Sequence, residues 1–356
     1  MGQRTNQRRG NDAEQLLDTT NQLKPLNTKA RFLIPVFLKR SPFLAKMREV
    51  MRTKRMSLRT EESYCRAIAG FFAWAGWKSP DSLTTDDPLV SDYLTHLAVD
   101  RKVSASTQNG AFNAILFMYR HVLKKEMGRV DAKRAKTSQH VPEWLTRDEL
   151  RSLFSVLEGE WNLIARLGYG TGMRLMELLR LRVKDCDFGN GCILIRDAKG
   201  SKDRIVPMPN TLVVPLANQI AHAEKIHAQD LAGGFGEVWL PDSLAAKYPN
   251  AAKNFKWQYV FPSREICSDP RDGRRRRHHL FETGFQTALR KAGMKAGIKK
   301  RVHPHCLRHS FATHYLENSG NLMLLKDLLG HKSVETTQIY THCISARNAI
   351  SPADVL

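Results

Sequence analysis

A stretch near the middle of the chain, residues 129–142 with the sequence RVDAKRAKTSQHVP, loses the apolar periodicity that precedes it and gains charge. Such a composition is typical of an exposed, flexible connection between domains. Because 356 residues also exceed the roughly 150 residues of an average domain, we expect one core on each side of this linker. The chain is 42% hydrophobic and 26% charged, which indicates globular domains rather than a disordered or fibrous protein.

The part before the linker, residues 41–128, shows helical periodicity. Tyr64 and Ile68 recur at helical spacing, and Gly76 follows as a stop signal. This pattern predicts a small all-helical domain. Residues 1–40 are polar and lack periodicity, so we expect them to form a loosely ordered extension.

The part after the linker combines helices with a small sheet. The segment TRDEL is typical of a helix start, and GNGCILIRDAKGSKDRIVPMP predicts two short strands around a glycine-containing turn. Helical patterns dominate the remainder. The predicted fold class is therefore mainly α with a small β-sheet (α+β).

The charge balance restricts the partner. The chain has 56 Lys and Arg against 35 Asp and Glu, a formal charge of +21, which favours a polyanion and nucleic acid above all. The six cysteines form no C-x-x-C pair, which predicts reduced thiols in the cytoplasm. The apolar run FLIPVFL is interrupted by Pro35 and is far shorter than the roughly 20 residues that span a membrane. We therefore expect a soluble protein without a membrane partner.

Two arginines stand where a phosphate could bind. In YGTGMRLMELLRL, Arg174 opens a helix after two glycines, and in PHCLRHSFATH, Pro304 fits a first helical turn that places His305 and Arg308 on one face. Taken alone, Arg174 could equally be a surface residue paired with Glu177. The histidines of the second segment match no common zinc spacing, so no metal site is expected.

A tyrosine and two lysines complete the candidates. In LLGHKSVETTQIYTH, Gly330 ends one helix and Tyr340 lies about two turns into the next. A tyrosine is a poor nucleophile unless its proton is removed and its target phosphate is neutralised. Lys199 and Lys202 lie in the predicted hairpin turn, where an ammonium group could reach a leaving oxygen.

The order of these signals along the chain, over about residues 41–342, resembles the tyrosine recombinase family, also called phage integrases. The resemblance implies that Tyr340 attacks a scissile DNA phosphate, that the 5′-oxygen leaves, and that a 3′-phosphotyrosyl bond conserves the ester energy without ATP, metal or other cofactor. The implied catalytic residues are the nucleophile Tyr340, the charge-stabilising Arg174 and Arg308, the general acid Lys199 with Lys202 as substitute, the base His305 and the phosphate donor His331.

The resemblance also implies an organisation. Residues 41–128 would be a helical, SAM-like core-binding domain that contacts DNA, residues 143–342 the catalytic domain, and residues 343–356 a tail that docks on a neighbouring protomer. The protein would be a monomer when free and a homotetramer on DNA, acting in the bacterial cytoplasm at the nucleoid.

A narrower resemblance lies in the catalytic half. The segment GEVWLPDSLAAKYPNAAKNFKWQYVFPS, within an insertion at about residues 222–263, is followed by DPRDGRRRRHH, and together they resemble the insertion of integron integrases. Aromatic residues interleaved with cations could stack unpaired bases and hold phosphates. The candidate DNA contacts are Trp239, Tyr248, Trp257, Arg274, Arg275, Arg276, Arg277, His278, His279 and Lys202. This resemblance implies exchange of gene cassettes, including at folded single-stranded sites.

Other interpretations stay open. The aromatic residues could simply pack a helical addition to the core, in which case the enzyme would be a Xer-like or phage integrase acting on duplex sites. A DNA-binding protein without catalysis, or a type IB topoisomerase with the same chemistry, would share parts of the pattern.

Overall fold

The computed structural model describes residues 37–85, 87–135, 142–198, 202–331, 333–338 and 340–341. The chain divides into two compact units, residues 1–139 and 140–356. Each unit has its own hydrophobic core. The mainly helical architecture with small sheets is confirmed.

The first unit is built from α-helices with short connections. They are α1 (Pro42–Thr53), α2 (Leu58–Trp74), α3 (Pro88–Val99) and α4 (Ala105–Phe117), the last continuing into a π-helical turn, Met118–Leu123. Each of the four begins after a Ser or Asp whose side chain accepts a backbone N–H of the first turn, as such residues do at helix starts. These capping residues are Ser41, Ser57, Asp87 and Ser104.

Aromatic side chains fill the core of this unit. Phe71, Phe72 and Tyr119 are almost fully buried, and the rings of Phe71 and Tyr93 meet edge to face at 5.3 Å between centroids. Burying a side chain of this size stabilises the fold by roughly 1.5–3 kcal/mol. Helices α1 and α2 are further joined by Arg52, whose guanidinium donates to both oxygens of the buried Glu61 at 3.0 Å.

The second unit has more elements. They are α5 (Arg147–Val156), α6 (Gly159–Thr171), α7 (Leu175–Leu179), β1 (Cys186–Asp187), β2 (Cys192–Ala198), β3 (Lys202–Pro207), α8 (Val213–Ala232), α9 (Asp242–Lys247), β4 (Pro262–Ser268), β5 (Arg275–His279), α10 (Glu282–Lys295), α11 (Pro304–Ser319) and α12 (Leu322–Leu329). Residues 335–338 and 340–341 are also helical. Helix α5 starts at the predicted place, capped by Thr146 in a reciprocal capping box with Glu149.

Strands β1, β2 and β3 form an antiparallel sheet in that order. Ile193 pairs with Val206, and both are fully buried in the core of the unit. The hairpin expected from the sequence is thus confirmed for its two strands, while the turn residues 199–201 lie outside the described residues.

A second hairpin, β4–β5, was not expected from the sequence, which we interpreted at that place as a basic run. Its strands pair antiparallel, with Cys267 opposite Arg276. The fully buried Asp269 lies between the strands and accepts from Arg271 Nη1 at 3.1 Å and Arg276 Nη1 at 2.9 Å. Charge pairing inside the hairpin therefore explains how so basic a segment folds.

Among the described residues, no helix is long and apolar enough to cross a membrane.

Candidate active site

Arg174 is positioned by the end of one helix and the start of the next. Helix α6 terminates at Gly172, which has the left-handed φ of +64°, and Arg174 then stands at the N-cap of α7, as predicted. Its backbone N–H donates to Glu177 Oε2 at 2.8 Å, and its Nη1 donates to Glu177 Oε1 at 2.8 Å. Its Nη2 donates to the carbonyl oxygen of Gly330 at 3.3 Å. Arg174 therefore pairs with Glu177, but the pair is part of the candidate site and is not an isolated ion pair on the protein surface.

Arg308 reaches the same place from helix α11, which begins at Pro304 as predicted. Its side chain is buried, Nη1 donates to Gly172 O at 2.6 Å, and Nη2 donates to Leu329 O at 2.7 Å. Burial and the neighbouring Arg174 lower the pKa of the guanidinium to about 9, which still leaves it protonated at neutral pH. The two predicted arginines thus converge where α12 ends, beside Gly330.

His331 follows Gly330, which has the left-handed φ of +63°. Its Nε2 lies 3.0 Å from Arg308 Nη2 and its Nδ1 lies 2.9 Å from Thr337 Oγ1. Because a guanidinium can only donate, Nε2 is the acceptor here and the proton is assigned to Nδ1. Burial, Arg308 and Arg174 lower the pKa of His331 to about 4, so the ring is neutral at neutral pH. Donation from Nε2 to a phosphate, as we expected from the sequence, requires the other tautomer.

Tyr340 is buried, with 2% of its surface exposed. Its hydroxyl oxygen lies 2.8 Å from His309 Nδ1. His309 was missed by the sequence reasoning, which favoured His305 as the partner. The signal available was spacing, because residues four apart on a helix share a face, and His309 follows His305 by four.

His305 is more exposed than His309. Its ring centroid lies 6.3 Å from that of His309 and 6.2 Å from that of His303, so the three rings form a row along α11. Burial, and then the positive charges of Arg308 and Arg174, lower the pKa of His305, so the ring lies within electrostatic range of both arginines.

A further arginine, Arg204 on β3, was also missed. It donates to Glu177 Oε1 at 3.0 Å and to Oε2 at 2.6 Å, and its Nε donates to Leu328 O at 2.8 Å. Glu177 and Arg204 are both largely buried. No feature of the segment KDRIVP distinguishes this arginine from its charged neighbours, because the pairing depends on strand register and on a helix far away in sequence.

Lys199, the predicted general acid, lies outside the described residues, and so does the side chain of Lys202. Among the described residues, no group of three or more His, Cys, Asp or Glu side chains is arranged to hold a metal ion.

The aromatic residues of the insertion are partly engaged by cations. Lys184 Nζ lies 3.5 Å from the ring centroid of Trp257, and Arg271 Cζ lies 4.2 Å from that of Trp239. Tyr248 is 46% exposed, with Lys247 Nζ 5.4 Å from its ring. Of the predicted base-contacting residues, Tyr248 is therefore the most accessible.

The insertion is fixed to the catalytic core. Val238, Leu240, Ala251 and Tyr259 form a small hydrophobic cluster of their own. Arg182 donates to Trp257 O at 2.5 Å and to Trp239 O at 2.9 Å, so one core arginine holds both tryptophans through their backbone.

The basic run separates into two kinds of residue. The side chains of Arg274 and Arg275 are exposed, although Arg274 lies 3.8 Å from Glu237 and Arg275 lies over Phe235. Arg276 is 7% exposed and pairs with Asp269 and Asp272, while Arg277 donates to both oxygens of Asp230 at 2.6 and 2.7 Å.

The two histidines that follow are half-buried and face inward. His278 Nε2 lies 3.3 Å from Asp269 Oδ2, and burial lowers its pKa. His279 Nδ1 lies 2.8 Å from Leu280 O, and burial lowers its pKa to about 4. Thus Arg276, Arg277 and both histidines, all predicted DNA contacts, have partners within the protein, and within residues 274–279 the exposed side chains are those of Arg274 and Arg275.

Two family models match separate parts of the chain. The model of the phage integrase family matches residues 143–347, and that of the phage integrase N-terminal SAM-like domain matches residues 43–129. An integrase/recombinase of Escherichia coli is 42% identical over 316 residues, which are 88% of this chain and 93% of the relative. The tyrosine recombinase XerA of Pyrococcus furiosus is 30% identical over 277 residues, 76% of this chain and 82% of the relative.

Two solved structures are similar in fold. A XerH site-specific recombinase bound to difH substrate is 19% identical, with 96% of this chain and 94% of that chain covered and a TM-score of 0.51. A Tn1549 transposon integrase in complex with transposon right end DNA is 15% identical, with 86% and 99% covered and a TM-score of 0.57.

The chain belongs to the phage integrase family. It is a tyrosine site-specific recombinase.

Proposed function

We propose that the protein cleaves and rejoins DNA through a 3′-phosphotyrosyl intermediate on Tyr340, with Arg174, Arg308 and His331 holding the scissile phosphate. The observation that carries this proposal is the convergence of both arginines on the segment after α12. Arg174 contacts Gly330 O, and Arg308 contacts Leu329 O and His331. Two guanidinium groups so placed give the donors that a phosphodiester needs for transfer.

The reaction exchanges one phosphate ester for another, so the energy of the ester bond is retained. Tyr340 Oη bonds to phosphorus, the bond from phosphorus to the 5′-oxygen breaks, and the 5′-hydroxyl of a partner strand later reverses the step. The arginines stabilise the charge on the non-bridging oxygens in the transition state. We assign the proton for the leaving 5′-oxygen to Lys199, with Lys202 as substitute. We keep His305 beside the phosphate, since it precedes Arg308 by three residues on the same helix and so shares its face.

We propose the following arrangement on DNA. Residues 41–128 form the core-binding domain and residues 143–342 the catalytic domain, joined by the linker at residues 129–142. Four protomers hold two duplexes, and residues 343–356 of each dock on a neighbour. The net charge of +21 supports a nucleic-acid partner.

The finer proposal is an integron integrase, which exchanges gene cassettes and accepts folded single-stranded sites, in the bacterial cytoplasm at the nucleoid. It is supported by the separate cluster that the insertion forms and by the exposed Tyr248 beside Lys247. An exposed aromatic ring next to a cation suits an unpaired base, and stacking contributes roughly 1–3 kcal/mol per base.

A covalent trapping experiment tests the chemistry. A binding duplex is first selected from a random pool with the Tyr340→Phe protein, and nicked versions of it then serve as suicide substrates. The wild type is expected to form a protein–DNA band that resists denaturing electrophoresis, while Tyr340→Phe binds the duplex without forming the band. If neither protein forms it on any nicked position, the chain is a DNA-binding protein without catalysis. Relaxation of supercoils without strand exchange would instead favour a topoisomerase.

A Xer-like recombinase acting on duplex sites is the second candidate. It is favoured by the cations that lie over Trp239 and Trp257 and by the anchoring of both through Arg182, because aromatic rings so engaged act as scaffold. The two candidates differ in how they treat a hairpin of the selected arm sequence with bulged bases and the same hairpin fully paired.

The integron proposal expects at least tenfold tighter binding of the bulged form, and it expects Tyr248→Ala, Trp239→Ala or Trp257→Ala to reduce that preference. Tyr248→Ala is the most informative, because its exposed ring can be removed with little effect on the fold. Equal binding of both hairpins by the wild type supports the Xer-like alternative.

A further inference from the structure

The hydroxyl group of Tyr340 has a specific neighbour in the folded protein. His309 Nδ1 lies 2.8 Å from it, and the two ring centroids lie 5.8 Å apart. Tyr340 is buried, and His309 is partly covered. A base must be within about 2.6–3.2 Å of the proton that it abstracts. His309 satisfies this distance before any DNA is bound.

The surroundings of His309 keep its ring neutral and therefore able to accept a proton. Burial is the main cause that lowers its pKa to about 4, followed by His305 on the same helix, His303 at the N-cap of that helix, and Arg308. The ring is therefore neutral at neutral pH. Among the described residues, Tyr340 and His331 also lie near His309, which in turn helps to lower the pKa of His331. A neutral imidazole has one nitrogen free to accept a proton.

We propose that His309 is the general base that takes the phenolic proton of Tyr340 during strand cleavage. The proton moves from Oη to Nδ1 as the bond from Oη to phosphorus forms and the bond to the 5′-oxygen breaks. In the reverse step the 5′-hydroxyl attacks phosphorus and gives its proton back to the amine assigned to that oxygen, Lys199 in the proposed function. The bond from phosphorus to Oη breaks, and the imidazolium returns the proton to Oη. This assigns to His309 the role that the sequence pattern gave to His305, and it rests on the proposed function of Tyr340.

Two electrostatic facts fit this assignment. A ring whose pKa is about 4 is a weak base at rest, so it takes the phenolic proton only as Oη bonds to phosphorus. A bound phosphodiester brings negative charge next to Arg308 and His305, two of the groups that depress the pKa of His309. Substrate binding therefore strengthens the base at the moment of attack.

The test uses the suicide duplex described above with His309→Asn, which puts an amide near the position of Nδ1 but cannot take a proton. At pH 7 the rate of covalent complex formation is expected to fall about 100-fold. It should then rise about tenfold per pH unit as the solution deprotonates Tyr340, whereas the wild-type rate stays nearly flat above pH 6.5. A merely structural role would lower the rate by the same factor at every pH.

His314→Asn is the matched control. His314 lies on the same helix, and its Nδ1 is 3.0 Å from the hydroxyl of Tyr169, so the substitution changes an equivalent pair away from the phosphate. It is expected to alter stability without changing the shape of the pH profile.

A second measurement does not depend on the variant being fully stable. Fluorinated tyrosine at position 340 has a more acidic phenol, so it should restore His309→Asn to within about tenfold of the wild type at pH 7, since little base is then needed. A folding defect would not be repaired by fluorine. A wild-type rate for His309→Asn across the pH range, or no rescue by fluorination, overturns the assignment. If Tyr340→Phe itself forms the covalent band, the proposed function fails instead, so the two failures are distinguishable.

Discussion

Glu177 and Arg204 form a two-pronged ion pair, with Nη1 to Oε1 at 3.0 Å and Nη2 to Oε2 at 2.6 Å. The same carboxylate accepts from Arg174 Nη1 at 2.8 Å. Because Arg204 also donates to Leu328 O, this one pair joins α7, β3 and the end of α12. Arg204 thus helps to fix the carboxylate that holds Arg174.

Arg204→Met is therefore expected to damage both stability and cleavage. Removing Arg204 leaves the largely buried Glu177 with Arg174 as its remaining ion-pair partner, so the cost in unfolding free energy is expected to stay below the roughly 3–5 kcal/mol of a buried charge with no partner, at about 2 kcal/mol. Urea denaturation measures the loss, and covalent trapping measures the slower cleavage. Arg151→Met removes a fully exposed pair with Asp148 and should change the unfolding free energy by less than about 1 kcal/mol. Equal effects of the two substitutions would contradict the connecting role of Arg204.

Gly172→Ala tests the close packing around Gly172, whose carbonyl oxygen accepts a hydrogen bond from Arg308. An added Cβ would meet Phe311 Cδ1 at 2.4 Å and Leu329 Cδ2 at 3.0 Å, and φ at this residue is +64°. Gly320 has the same φ of +64° at the end of α11 but no neighbour within 4 Å, so Gly320→Ala isolates the backbone strain of about 1–2 kcal/mol. Gly172→Ala should cost about 1–3 kcal/mol more than the control, as overpacking does. Thermal or urea denaturation of the two variants measures this difference in unfolding free energy. Equal losses for both variants would contradict the predicted overpacking at Gly172.

Stability is expected to fall in mild acid. The pKa values of His279, His309 and His331 are lowered to about 4, with burial as the first cause in each. The unfolded chain takes up protons on these rings near pH 6.5 and the folded chain only near pH 4, so the folded state binds fewer protons in between. The unfolding free energy should therefore decrease as pH falls from about 6.5 to 4. Denaturation curves at pH 7, 6, 5 and 4 measure it, and His279→Gln should flatten the slope. No change in stability over this window would contradict the neutral state of the three rings.

The four consecutive arginines should divide by function. Arg274→Ala and Arg275→Ala remove exposed cations and are expected to weaken DNA binding, each reducing the slope of log affinity against log salt by about 1 if it contacts a phosphate. Arg276→Ala and Arg277→Ala break internal pairs and are expected to lower the unfolding free energy first. Salt titrations of binding and urea denaturation, run on all four variants, separate the two effects. The reverse pattern would show that Arg276 and Arg277 leave their internal carboxylate partners and bind DNA phosphates instead.

Local signals explain why much of the fold was predictable. The helix start at Thr146 and the stop at Gly76 are chemical features of a few adjacent residues. The positions of Arg174 and Arg308 followed from the helix starts at Arg174 and Pro304 for the same reason.

What the sequence did not reveal depends on contacts across long separations. Arg204 meets Glu177 only because β3 has a particular register, and the β4–β5 hairpin is stabilised by the buried Asp269. The contact between His309 and Tyr340 joins residues 31 apart, and helical spacing alone could not choose between His305 and His309. A run of cations likewise gave no sign that Arg276 and Arg277 would pair inward.

Mapping the residue that carries the DNA tests the central claim most directly. Trypsin cleavage of the trapped complex yields the peptide of residues 333–347, in which Tyr340 is the single tyrosine. After nuclease treatment, mass spectrometry is expected to find a nucleotide linked through its 3′-phosphate to Tyr340. A nucleotide on any other residue, or a wild-type protein that binds the selected duplex tightly and never carries one, would contradict the account.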